Sequence, residues 1–163
     1  MREIPLTRGM VSIVDDSDYD MLIASGSWCA HPGGNTFYAW RGWSRGGKPS
    51  GTLMHTFLTG WSFTDHRNGD GLDNRRVNLR PATHAQNMMN RGMPRNNTSG
   101  YKGVYSERGM WLAKLQFNKR GIRLGLFADR LDAARAYDAA AHRYFGEFAR
   151  PNFPQDQRDG IPA

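Results

Sequence analysis

Between residues 110 and 117 apolar and polar side chains alternate, with Trp111, Ala113, Leu115 and Phe117 on one face and Leu112, Lys114 and Gln116 on the other. That two-residue period is the signature of a half-buried strand. Runs at 101–106 and 122–127 read as its neighbours, joined by Glu107-Arg108-Gly109 and by residues 118–121. Downstream the period lengthens: Ala133, Ala136, Tyr137, Ala140 and Tyr144 recur at helical spacing, Asp129 stands where an N-cap belongs and Gly146 supplies a stop. Small Ala side chains let such a helix lie close on a sheet. A three-stranded antiparallel sheet packed on one helix is therefore expected over residues 99–155.

Upstream the pattern is less regular. Residues 3–6, 11–14 and 37–40 read as strands, 16–25 as a short helix and 41–51 as a Gly-rich basic loop. Residues 62–66 read as a short strand, 67–74 as a loop marked by Asn68-Gly69 and Asp70-Gly71, and 77–80 as a returning strand. Thr83 can N-cap a helix to about residue 90, with Asn87 on its second turn. So short a unit cannot bury enough apolar area alone, so residues 1–52 are expected to complete its core. Pro94, Asn96 and Asn97 mark 93–98 as a linker, and 156–163 reads as a tail. The expected class is α+β, with domains at 1–92 and 99–155.

Asp65-His66, followed by Asn78 and Asn87, carries candidate chemistry. Hydrolysis of a phosphodiester needs a base for the attacking water and positive charge on the phosphate. His66 can be that base; Asp65 and Asn87 offer oxygens to one Mg²⁺ or Mn²⁺. Asn78, facing inward, can bond loop backbone and fix the His orientation. The same residues admit a plainer reading, since an Asp-His dipeptide is common in surface turns and Asn-Gly in hairpins. His55 sits in an apolar run and reads as a buried imidazole; His84, just past the helix cap, reads as exposed.

From about Met54 to Arg91 the sequence resembles the HNH nucleases, in the variety with Asn for the last His found among phage and intron homing endonucleases. The resemblance implies a ββα-metal domain with a catalytic set of His66 (base), Asp65 and Asn87 (metal ligands) and Asn78 (structural). Asp73-Asn74-Arg75, Asn78-Leu79-Arg80 and Gln86-Asn87 with Asn90 also match its phage members.

Charge adds a second theme. The 163-residue chain has a formal net charge of +7, distributed as nine cations to eight anions in 1–90, twelve to five in 91–150 and one to two in 151–163. The polar face of the predicted sheet carries Lys102, Lys114, Gln116 and Arg123, with Tyr105 and Arg108 nearby. Basic groups engage phosphates, and Arg and Gln read base edges in a major groove. Trp111, among apolar neighbours, reads as core. Arg41, Arg45 and Lys48 are equally readable as phosphate contacts or as solvated loop charges.

Residues from about Asn97 to Pro154 resemble the plant Apetala-type or ethylene-response-factor DNA-binding domain, through Ser99-Gly100-Tyr101-Lys102-Gly103-Val104, Leu124-Gly125-Leu126-Phe127, Ala133-Ala134-Arg135-Ala136-Tyr137-Asp138 and Asn152-Phe153-Pro154. By position the resemblance implies DNA contacts at Lys102, Gly103, Tyr105, Lys114, Gln116 and Arg123. Tyr105 and Glu107 stand where those proteins usually have Arg, and Arg123 replaces a Trp, so target preference does not carry over.

The single Cys excludes an internal disulfide framework, and Cys29 beside Trp28 reads as a small buried residue. No stretch of about 18 apolar residues exists. Residues 1–9 carry Arg2, Glu3 and Arg8 without an apolar segment, so no signal peptide is expected. Together these features lead to an expected metal-dependent endonuclease acting on duplex DNA, held there by its carboxyl-terminal domain. Its expected setting is the cytoplasm, that of a host cell if phage-encoded, and it is read as a monomer with a dimer as the alternative. The rival expectation is a non-catalytic, sequence-specific DNA-binding regulator. RNA binding is disfavoured because the strands lack an exposed row of aromatics.

Overall fold

A computed structural model describes residues 1–154, with Arg45 and Pro49 described by their backbone alone; the expected tail at 156–163 lies outside the described residues. The chain is of mixed α and β structure with antiparallel sheets, in two compact units, one spanning Met1–Asn87 and one beginning at Met88.

In the first unit, β1 (Arg2–Pro5) pairs with β2 (Val11–Val14), and α1 (Asp16–Ala24) follows. A second sheet has the order β3 (Cys29–Gly33), β4 (Thr36–Arg45) and β5 (Lys48–Leu53). The basic stretch expected as a loop is thus mostly a hairpin. Its glycines have a packing cause: Gly42 and Gly51 face each other across the strands, and a Cβ on either would come within 2.1 Å of the Trp40 indole. The short helix α2 (Met54–Thr59) leads to β6 (Thr64–His66), which pairs with β7 (Leu79–Pro81) before α3 (His84–Met89). Thr83 and Gln86 cap α3 reciprocally: Thr83 N–H donates to Gln86 Oε1 at 2.7 Å and Gln86 N–H to Thr83 Oγ1 at 3.2 Å. Ile4, Val14, Leu22, Trp28, Met54 and Leu79 belong to the core these elements share.

The loop from β6 to β7 is built by Asn and Asp side chains. Asn74 is fully buried and donates to Ser12 Oγ at 2.9 Å, and Asp73 accepts from Asn68 and Arg75. Asn74 N–H also donates to the Ile13 carbonyl, so β2 holds the loop in place. Strand, strand and helix occur in the expected order, yet a ββα-metal fold is not shown by order alone.

The second unit contains β8 (Val104–Glu107), β9 (Met110–Phe117) and β10 (Arg120–Phe127) in the antiparallel order β10-β9-β8. Both hairpins turn through two residues of positive φ, Arg108-Gly109 and Asn118-Lys119, the geometry that matches strand twist. Helix α4 (Arg130–Phe145) starts at Asp129, whose side chain accepts from Leu131 N–H and Asp132 N–H. It buries Ala133, Ala134, Tyr137, Asp138, Ala141 and Phe145, so its inward stripe is rotated slightly from the one read in sequence. Val104, Ala113 and Leu115 meet it from the sheet. Asp138 then accepts from the N–H groups of Asn152 and Phe153, drawing the following segment back onto the unit.

Candidate nucleic-acid interface

In the first unit, the β6–β7 register sets Asp65 opposite Arg80 and His66 opposite Leu79. Arg80 donates to Asp65 Oδ2 through Nε at 2.8 Å and Nη2 at 2.6 Å. His66 is buried, with Nε2 3.3 Å from Asn74 Oδ1. Its ring stands edge-on to His55 at 5.0 Å, and Tyr38 lies 5.8 Å away. Burial lowers the His66 pKa below its ordinary value, against the opposing influence of Asn74 and of Asp65, Asp70 and Asp73. Burial, with His66 nearby, takes His55 down to about 3. The pocket thus favours neutral imidazoles.

Asn78 donates to the Asp73 carbonyl at 2.7 Å and accepts from Asn68 N–H at 3.0 Å. Asn87 donates to the Thr64 carbonyl at 3.3 Å, and its Oδ1 is buried without a hydrogen-bond partner. The structure therefore brings Asn87 against the strand bearing Asp65 and His66. Among the described residues no group of three or more His, Cys, Asp or Glu is placed to hold a metal. The donor set does not fit a resident dication as it stands, because a guanidinium already balances the Asp65 charge. His84 is exposed, and Arg41 donates to the Ser25 carbonyl and lies near the rings of Trp28, Trp43 and Phe57.

The second unit offers a different surface. Pairing aligns Tyr105 with Leu112 and Leu126, Lys114 with Arg123, and Gln116 with Gly121, on the sheet face away from α4. Tyr105, Lys114, Gln116 and Arg123 are exposed, as is Arg108 at the first turn. Tyr105, Leu112, Lys114, Leu115, Gln116 and Gly121 line a shallow hollow of about 440 Å³ on this face. Glu107, which the sequence marks as a departure from the plant pattern without a partner, reaches across from β8: Arg123 Nη1 and Nη2 donate to its two carboxylate oxygens at 3.1 and 2.9 Å. Arg120 and Lys119 add exposed positive charge at the second turn. The register of the hairpins, had it been fixed in sequence, would have exposed the Glu107–Arg123 relation.

Lys102 and Gly103 precede β8 and are held otherwise. Lys102 Nζ donates to the Met89 carbonyl at 2.9 Å, and burial, with Arg150 nearby, lowers its pKa to about 8. At Gly103, φ is +75° and a Cβ would come within 2.0 Å of the Tyr137 ring, so close packing alone requires glycine.

No protein-family model matches the chain. It is 40% identical over 75 residues to a dehydration-responsive element-binding protein 2A of Oryza sativa subsp. indica, covering 44% of this chain and 27% of that protein. It is 39% identical over 71 residues to dehydration-responsive element-binding protein 2C of Arabidopsis thaliana, covering 42% and 21%. An AP2/ERF and B3 domain-containing protein of Oryza sativa subsp. japonica is 47% identical over 58 residues, covering 35% and 16%. The chain thus spans about a quarter or less of the length of these relatives. They support the resemblance to an ERF-type domain.

These relatives overturn the expectation of a metal-dependent HNH endonuclease. Their names describe element-binding proteins, and nothing among them supports a phosphodiester hydrolase, a homing role or a divalent metal. A phage setting is likewise unsupported, since the relatives are proteins of rice and Arabidopsis. The side chains give a physical reason for the correction: Asp65 is half of a buried ion pair with Arg80. No helix among the described residues is long and apolar enough to cross a membrane.

Proposed function

We propose that this chain is a sequence-specific binder of duplex DNA, acting as a non-catalytic regulator, with the sheet β8–β10 laid in a major groove. The observation that carries the reading is the patch formed by Tyr105, Lys114, Gln116 and Arg123, exposed on the sheet face that α4 leaves open. Lys114 and Arg108 suit phosphates, and Gln116 and Arg123 suit base edges. Similarity to proteins named as dehydration-responsive element-binding supports the same reading. In it the DNA-binding domain covers 99–155 and follows a linker at 93–98, with 1–92 as a separate domain. In this reading the β8–β10 sheet of a single chain engages one groove, and the protein binds as a monomer.

Fluorescence anisotropy of the full chain with labelled random duplexes, followed by rounds of selection, tests this. Salt-sensitive binding and enrichment of a shared short sequence are expected. Absence of duplex binding at physiological salt, binding without enrichment, or stronger binding to single-stranded RNA would overturn it.

A further inference from the structure

We infer that Glu107 and Arg123 act as one specificity-determining unit that selects a G·C base pair in the groove. The inference rests on the DNA-binding reading above and goes past it to the base read. The two residues sit on the outer strands of the sheet, and their pairing crosses the central strand over the row held by Leu112. A carboxylate here is otherwise out of place, because this face and its turns are basic and DNA presents anionic phosphate. Glu107 remains ionised: the Arg123 hydrogen bonds, with the charges of Arg123 and Arg108, hold its carboxyl below the usual carboxylate range.

The pair keeps bonding capacity to spare. Arg123 uses one N–H from each terminal nitrogen on Glu107, which leaves three of its five donors. The carboxylate retains about two acceptor positions of its four. Side by side the two groups present donors next to an acceptor. The major-groove edge of a G·C pair shows the complement: guanine N7 and O6 accept, and cytosine N4 donates. An A·T pair interposes its N6 donor between two acceptors, which sets like against like for one of the groups. The salt bridge also keeps the guanidinium from wandering to phosphate, so the cation arrives at the base edge already oriented.

The test uses the full chain, its selected duplex, and single base-pair variants of that duplex, with Glu107→Gln and Arg123→Gln as protein variants. The wild type is expected to require one G·C pair and to lose about five- to hundredfold in affinity when that pair becomes A·T. Both variants should reduce discrimination at that same pair to within about twofold, and Glu107→Gln should bind random duplexes more tightly because an anion is gone. Unchanged discrimination by Glu107→Gln, or a uniform loss on every sequence, would overturn the inference while leaving DNA binding intact. A wild type that binds no duplex would overturn both this and the function it rests on.

Discussion

The guanidinium of Arg80 closes on the carboxylate of Asp65 with both side chains almost withdrawn from solvent, at 5% and 8% exposure. Removing one member of a buried pair leaves a desolvated charge without its main partner, which costs about 3–5 kcal/mol. Arg80→Met is therefore expected to destabilise the first unit by about that amount, and Asp65→Asn combined with Arg80→Met should recover most of it. Urea unfolding followed by Trp fluorescence measures both. A loss below about 1 kcal/mol for Arg80→Met would show that Asp65 does not depend on the pair.

His55 and His66 make the first unit acid-sensitive. Both have folded-state pKa values below their ordinary value of 6.5, about 3 for His55. The unfolded chain therefore takes up protons first as pH falls, and stability is lost progressively below about pH 6.5. For His55 alone the loss reaches on the order of 3 kcal/mol by pH 4. His55→Gln should flatten that part of the curve. A wild-type unfolding free energy that stays level between pH 7 and 4.5 would contradict the buried neutral pair.

The second unit was largely legible because its strands alternate at two residues and its helix recurs at three and four. Starting the first strand at residue 101 sets Lys102 within the sheet and on its open face, whereas the strand begins at Val104 and Lys102 donates to the Met89 carbonyl. In the first unit, the second half of β4 and all of β5 are hidden by Gly42 and Gly51, which sequence alone reads as loop and the Trp40 ring explains. Asp65, His66, Asn78 and Asn87 are legible in the sequence as a constellation, but the partner of Asp65 is not. A long loop separates β6 from β7 and leaves the register open, so nothing in the sequence set Arg80 directly across from it. The carboxylate that the sequence offers to a metal is one whose charge the fold balances with Arg80.

Lys102 gives the second unit the opposite pH behaviour. Its ammonium titrates near 8 in the folded protein, against an ordinary value of 10.5. The unfolded chain holds this proton more tightly, so the folded state gains stability as pH rises from about 8 toward 10. Above that, Tyr137 works the other way, because burial raises its phenol and the unfolded chain ionises first. Denaturant unfolding at pH 7.5 and 9.5 should show the rise in the wild type and not in Lys102→Met. An equal rise in the variant would assign it to another group.

Lys114 and Gln116 share the central strand of the open face, two residues apart, yet their substitutions should read differently. An ammonium bound to phosphate releases a counterion and senses no base, so Lys114→Ala should weaken binding to all duplexes alike and reduce the slope of log K against log salt by about one. An amide reading a base edge contributes little to that slope, so Gln116→Ala should leave it unchanged and relax preference at a single position by about 1–3 kcal/mol. Anisotropy titrations at several salt concentrations, on the selected duplex and its point variants, separate the two effects. If both substitutions changed only the salt slope, the face would be a phosphate-binding surface without base readout.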